Sequence, residues 1–196
     1  KLQEQFIISK SYDLSSFEQQ SAFLEGTGSM VLDRDYKIAY ASVSQRTDER
    51  VLYEFCRLSG YRPMLFTSHD ETGKEIYHTN VMMAVGEHEV LICMDAIAGD
   101  ENKERLQFII KKTGKKIVPI SSKQLHHFAG NMLQLKNSDG DLLWVMSETA
   151  FRSLTETQVQ LLEQNSRLLY APLNIIETCG GGSARCMLAE IFNDPR

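Results

Sequence analysis

The chain repeats itself. Three stretches align: Leu24-Glu-Gly-Thr-Gly-Ser-Met-Val-Leu32, Tyr77-His-Thr-Asn-Val-Met-Met-Ala-Val85 and Phe128-Ala-Gly-Asn-Met-Leu-Gln-Leu135. Their period lies roughly in the middle fifties of residues. A turn and a second apolar run follow each stretch, at Lys37–Ser42, Glu89–Asp95 and Leu142–Ser147. A helical pattern and a third short strand come next. Such a period means that one supersecondary unit is used several times, because no single unit can bury its apolar face alone.

Each unit reads as strand, hairpin, strand, helix, strand. Turn-prone residues occupy the hairpins: Asp33-Arg-Asp35, Gly86-Glu-His88 and Asn137-Ser-Asp-Gly140. In the first helix Val51, Leu52, Phe55 and Leu58 share a face, and Gly60 stands at the C-terminal cap. In the second, Asp100 is the expected cap and Leu106, Ile109 and Ile110 form the stripe before Gly114. Thr155-Glu-Thr-Gln158 is a capping-box pattern opening the third, which runs through Val159 and Leu162. The closing strands, Tyr61–Thr67, Lys116–Ile120 and Arg167–Leu173, each contain a proline (Pro63, Pro119, Pro172). A residue without an N–H donor belongs at a sheet edge or a bulge.

Three full repeats occupy about 24–173, with partial units at both ends of a single domain, 1–196. Thr178–Phe192 reads as the opening strand of a further unit, and Lys1–Leu14 as a helix tail and closing strand. A ring of such units closes by pairing these two ends. If five units are required, roughly 65 or more residues are missing, and the chain reads as incomplete at its N-terminus.

Composition narrows the functional classes. With 42% hydrophobic and 24% charged residues, 12 Gly and 4 Pro, the chain is neither disordered nor collagen-like nor of low complexity. No apolar run has the length of a transmembrane helix, so no membrane partner is expected. The net charge is −5 and the basic residues are scattered. The one short basic run, Lys111–Lys116, is broken by Thr113 and Gly114 and reads as the solvated end of a helix. No basic face for nucleic acid follows from this. The four cysteines, Cys56, Cys93, Cys179 and Cys186, form no CxxC pair, and no signal peptide precedes them. Reduced thiols in a cytoplasmic protein are the expectation.

The repeat also selects candidate chemistry. Glu25 opens the first stretch, His78 the second, and Cys186 follows Gly180-Gly-Gly182 near the C-terminus. If equivalent positions converge on one axis, a carboxylate, an imidazole and a thiol meet there. That set suits nucleophilic catalysis, with a thiol to attack, an imidazole to move protons and a carboxylate to orient it. Glycines beside the thiol let a ligand approach the backbone. Against this, a lone Cys or His in a strand is usually a core residue, and Cys56 beside Phe55 and Cys93 within Val-Leu-Ile-Cys-Met fit that description. Cys179 is a weaker candidate than Cys186. His126 and His127 are adjacent, but no second pair at ligand spacing supports zinc.

At Phe23-Leu-Glu-Gly-Thr-Gly-Ser-Met-Val-Leu-Asp33, Tyr77-His-Thr-Asn-Val-Met-Met83 and Cys179-Gly-Gly-Gly-Ser-Ala-Arg-Cys-Met-Leu-Ala-Glu190, the chain resembles the guanidino-group-modifying (pentein) superfamily. Arginine deiminase, agmatine deiminase, dimethylarginine dimethylaminohydrolase and the amidinotransferases belong to it. The nearest resemblance is to its citrulline-utilisation hydrolases. It implies a pentein-type α/β propeller of strand-strand-helix-strand units around a pseudo-fivefold axis. It also implies a hydrolase acting on the guanidino or ureido C–N bond of an amino acid through a covalent thiol adduct. Cys186 is then the nucleophile, His78 the general acid and base, and Glu25 the carboxylate near the substrate nitrogens. Asn80, Gly181, Gly182 and Arg185 are the expected substrate-binding residues. No metal or organic cofactor is implied, and the partner is a small-molecule amino-acid substrate.

In one respect the sequence departs from the family. Deiminases carry an acidic residue two positions after the histidine, where this chain has Asn80. A neutral amide pairs with a ureido group without favouring a cation, which points to citrulline over arginine. The family also carries an acidic substrate-gripping segment upstream of the first residue here. An amidinotransferase and a non-catalytic binding protein of the same fold are the alternative readings.

Overall fold

The computed structural model describes residues 2–196. Its framework is three sheets of three strands. Strands β1 (Val31–Asp33), β2 (Ile38–Ser42) and β3 (Arg62–Phe66) form the first. Strands β4 (Met83–Val85), β5 (Glu89–Ile92) and β6 (Lys116–Pro119) form the second, and β7 (Leu133–Lys136), β8 (Leu142–Ser147) and β9 (Ser166–Ala171) the third. In each sheet the first pair is antiparallel and the second parallel, with Leu32 opposite Ala39 and Tyr40 opposite Met64 in the first. An antiparallel pair needs only a tight turn, whereas a parallel pair needs a crossover. The crossovers are helix α1 (Glu49–Ser59) in the first unit and α2 (Asp100–Lys112) in the second.

The third crossover differs from the single helix expected. After α3 (Ser122–His126), which links β6 to β7, it contains two short helices, α4 (Glu148–Ser153) and α5 (Glu156–Leu162). Ser147 caps α4, and the capping box of Thr155 and Gln158 restarts the chain as α5. Two N-terminal caps within nine residues favour two helices over one. Asp48 caps α1 by accepting from the Arg50 N–H, and Gly60 ends that helix at φ +76°. Asp100 does not cap α2. Gly99, at φ +77°, holds the cap position, and Asp100 is the first helical residue.

The core runs through all three units. Tyr40, Met82, Met83, Leu91, Leu106, Ile110, Trp144 and Leu162 are almost wholly buried and belong to one cluster. The inner strands contact each other in turn, β1 against β4 and β4 against β7. The third strand of each unit is an edge strand. Pro63 lies within β3, Pro119 ends β6, and Pro172 follows β9 directly, as residues lacking a ladder donor require.

Several sequence expectations change. The leading halves of the aligned stretches are turns, because Gly26 (φ +51°) and Phe128 (φ +63°) leave the extended region and Thr79–Val81 closes a 3-10 turn. Thr178–Phe192 holds no strand. Helix α6 (Asn174–Gly180) stops at Gly181 (φ +66°), and Ala184–Met187 is a 3-10 turn. Lys115 is not solvated. Its ammonium lies 3.1 Å from Asp33 Oδ2 and donates to the Gly86 carbonyl at 2.7 Å, tying the second unit to the first. At the chain ends, Leu2–Gln5 is a helical turn and Phe6 forms an antiparallel bridge with Pro195. The described residues thus hold a mixed α/β fold of three complete units and no closed ring.

Candidate active site

The Glu-Gly-Thr-Gly-Ser run of the first unit builds a single helical turn, Gly26–Ser29, with Glu25 at its cap. The Ser29 hydroxyl accepts from the Glu25 N–H at 2.8 Å and donates to the Arg46 carbonyl at 2.6 Å. Gly28 is needed for close approach, since a Cβ there would stand 2.8 Å from the His78 ring. The second unit supplies His78 immediately before its 3-10 turn. Thr79 pins that turn to the first unit, donating to the Ser29 carbonyl at 2.6 Å and accepting from the Ser42 N–H at 2.8 Å.

These anchors bring Glu25 and His78 together, with Oε2 2.7 Å from Nε2. The imidazole side chain is 16% exposed and the carboxylate 44%, so the carboxylate meets water while the ring is held in the protein. Arg46 Nη1 lies 3.5 Å from the same carboxylate oxygen, and its guanidinium packs over the Tyr77 ring at 5.0 Å.

Cys186 arrives from the other end of the chain. It is exposed and sits in the 3-10 turn after the glycine run. A Cβ on Gly182 would lie 3.2 Å from its sulfur, so the glycine is where the chain turns tightly past the thiol. His78, Asn80, Gly181, Gly182 and Cys186 line one cavity of about 160 Å³, together with Tyr77, His126 and Asn131. Asn80 is 2% exposed, its Nδ2 lies 3.8 Å from Cys186 Sγ, and its Oδ1 is buried without a partner.

Arg185 stands apart from that group. It is buried, donates through Nη1 to the Leu188 carbonyl at 2.8 Å, and lines a larger cavity of about 740 Å³ between the inner strands. Burial lowers its pKa, partly offset by Glu190. Neither His78 nor Cys186 lines that larger cavity.

Three residues at the site escaped the sequence reading. Asn131 donates through Nδ2 towards Cys186 Sγ at 3.2 Å, and its position in the third aligned stretch, matching Asn80 in the second, was the available signal. Glu177 anchors the cysteine loop by accepting from Ser183 and Thr149, each at 2.7 Å. Burial pushes its pKa up, but hydrogen bonds from the Ser147, Ser183 and Thr149 hydroxyls prevail and hold it below the usual carboxylate value. Arg46 follows β2 in a loop whose sequence carries no periodic signal.

A sheet framework of this topology, with guanidino-enzyme motifs at 23–33, 77–83 and 179–190, defines a class: the pentein superfamily of guanidino-modifying enzymes. Within it, residues 1–193 match the family model described as N,N dimethylarginine dimethylhydrolase, eukaryotic, and the chain belongs to that family. Among solved structures, it is similar to apo ArgZ, an arginine dihydrolase from the ornithine-ammonia cycle in cyanobacteria. That match has 17% identity and a TM-score of 0.68, and covers 89% of this chain and 26% of that one. The N-terminal domain of ArgZ bound to product gives 17% identity and a TM-score of 0.68, with 87% and 57% covered. SxtG, an amidinotransferase of the saxitoxin pathway from Microseira wollei, gives 14% and 0.55, with 81% and 42% covered. These likenesses concern the fold. The chain spans about a quarter of ArgZ and little more than half of its N-terminal domain. No curated protein matches it by sequence.

Proposed function

We propose that these residues form the nucleophile-bearing part of a hydrolase that cleaves a guanidino or ureido C–N bond of an arginine- or citrulline-like amino acid. They are read as part of a single catalytic domain whose remaining units complete a pentein ring. The observation that carries this is the 2.7 Å contact between Glu25 and His78 beside a cavity that Cys186 also lines. The Cys186 sulfur attacks the central carbon, forming a C–S bond. His78, held by Glu25, gives its proton to the departing nitrogen as the C–N bond breaks. Water then attacks the same carbon and passes a proton to His78, and the C–S electron pair returns to sulfur. No step calls for a metal or an organic cofactor.

Asn80 favours a citrulline-type substrate. Its buried Oδ1 has no partner and its amide is neutral, so a substrate N–H satisfies it without a charge to match. An acidic residue at this position would instead reward a cation.

The test compares citrulline, arginine and N,N-dimethylarginine with the full-length protein. The expected result is fastest turnover of citrulline, with a quenched adduct mapped to Cys186 and abolished by Cys186→Ser. Clear arginine preference overturns the substrate choice. The absence of adduct and turnover on all three overturns the hydrolase and favours a binding protein.

A further inference from the structure

The turn Phe128–Asn131 packs against the core through Phe128, Ala129 and the following Met132, and it is built at a local backbone cost. Phe128 is a bulky residue at φ +63°, a left-handed conformation in which such side chains are rare and strained. Two residues on, a Cβ at Gly130 would strike the Val81 carbonyl, so the turn is pressed against the backbone that carries Asn80. The Asn131 N–H closes the turn on the Phe128 carbonyl at 2.8 Å.

The outcome of this strain is the placement of one amide. Asn131 is 2% exposed and uses both ends of its side chain. Its Oδ1 accepts from the Arg185 N–H at 3.1 Å and, more distantly, from the Cys186 thiol at 3.7 Å. Its Nδ2 donates to the Asn80 carbonyl at 3.1 Å and towards Cys186 Sγ at 3.2 Å, the shorter of the two sulfur contacts. One side chain therefore joins the turn carrying Asn80 to the loop carrying the thiol. An N–H aimed at sulfur favours negative charge there, and the same amide fixes where that sulfur stands.

We propose that Asn131 is the positioning residue of Cys186, holding the sulfur in its attacking place and registering it against the second unit. This rests on the reading of Cys186 as the nucleophile. The strained turn is the device that aims the amide. Asn131 makes no contact with the reacting carbon and acts through Cys186.

The test is iodoacetamide alkylation at fixed pH, mapped by mass spectrometry, with exposed Cys179 as an internal standard in the same molecule. Asn131→Ala is expected to slow Cys186 about tenfold or more relative to Cys179, the size of one lost hydrogen bond to a charged group. A merely structural role predicts no such selective loss, because the thiol is already exposed and a loosened loop leaves it open to reagent. Asn131→Asp keeps the volume and the acceptor for the Arg185 N–H but removes the donor. It is expected to slow Cys186 at least as much and, in the full-length protein, to lower kcat with KM unchanged. Wild-type rates at Cys186 in Asn131→Asp, or acceleration in Asn131→Ala, overturn the proposal. Hydrogen exchange in the unsubstituted protein gives a reading that needs no variant to fold: the Arg185 amide is expected to be protected, and free exchange there overturns the proposal. If wild-type Cys186 reacts no faster than Cys179 while Arg185 is protected, it is the nucleophile reading that fails.

Discussion

The imidazole of His78 lies against the α-carbon of Gly28, with its Cε1 2.8 Å from where a methyl group on that carbon would stand. Gly28→Ala therefore pushes the ring away from Glu25 while suiting the helical turn no worse. A displacement of this kind costs about 10²-fold in rate. The expected outcome for the full-length protein is a fall of that order in kcat/KM with an unchanged circular dichroism spectrum. Retained activity would mean that His78 does not need its present position.

The thiols should separate by environment. Burial pushes the Cys56 thiol up to about 11 and raises that of Cys93 as well. Near pH 8 both stay protonated and covered, so alkylation should fall on Cys179 and Cys186 alone. Peptide mapping of the labelled native chain checks this, and Cys186→Ser should leave label at Cys179 only.

Glu177 links the nucleophile loop to pH. Its carboxyl is held below its usual value near 4.5 in the folded state, so the stability it contributes is fully present above that value. That contribution is lost as pH falls through the lower, folded-state value. Glu177→Gln should cost about 1 kcal/mol at pH 7. The gap between wild type and variant in urea midpoint should narrow as the pH is taken from 6 towards 3. A gap that widens on acidification would contradict the assignment.

Lys115 and Asp33 form a buried pair between units, with side chains 3% and 0% exposed. Lys115→Met removes the cation that faces the buried Asp33 carboxylate, at a cost of about 3–5 kcal/mol. Adding Asp33→Asn to it should recover part of the loss, since the amide oxygen can still accept from the Tyr36 N–H. Thermal unfolding of the single and double variants measures the recovery.

The sheets and the long helices were legible because their signals are local. The apolar runs of β2, β5 and β8, the stripe through Leu106 and Ile110, and the Thr155 capping box all lie within a few residues. The turns at Leu24–Met30 and Phe128–Met132 were read as strand because apolar content alone does not reveal φ at Gly26 or Phe128. Lys115 read as solvated because its partner Asp33 lies in another unit. At the site, the repeat singled out Glu25 and His78, and their contact follows from Thr79 and Ser29 crossing between units. The Arg185 guanidinium lines the other cavity, and its Nη1 is held by the carbonyl of Leu188 three residues on, a contact that residue types alone do not reveal. Asn131 joins residues 51 and 55 positions away in sequence, beyond any local pattern.

The prolines of the outer strands bear on how this protein behaves in a crowded solution. Each sheet ends in a strand with a free side, which could recruit a strand from a neighbouring molecule. In β3, Pro63 removes a donor from that side, and Arg62 adds charge beside it. Lys116 with Pro119 does the same for β6, whereas β9 carries Arg167 and is followed, past its last residue, by Pro172. The rim thus carries its own protection against edge-to-edge aggregation, a charge in every unit and a proline within the edge strand in two of them. Replacing these prolines with β-branched residues would lengthen the ladders and open the molecule to self-association.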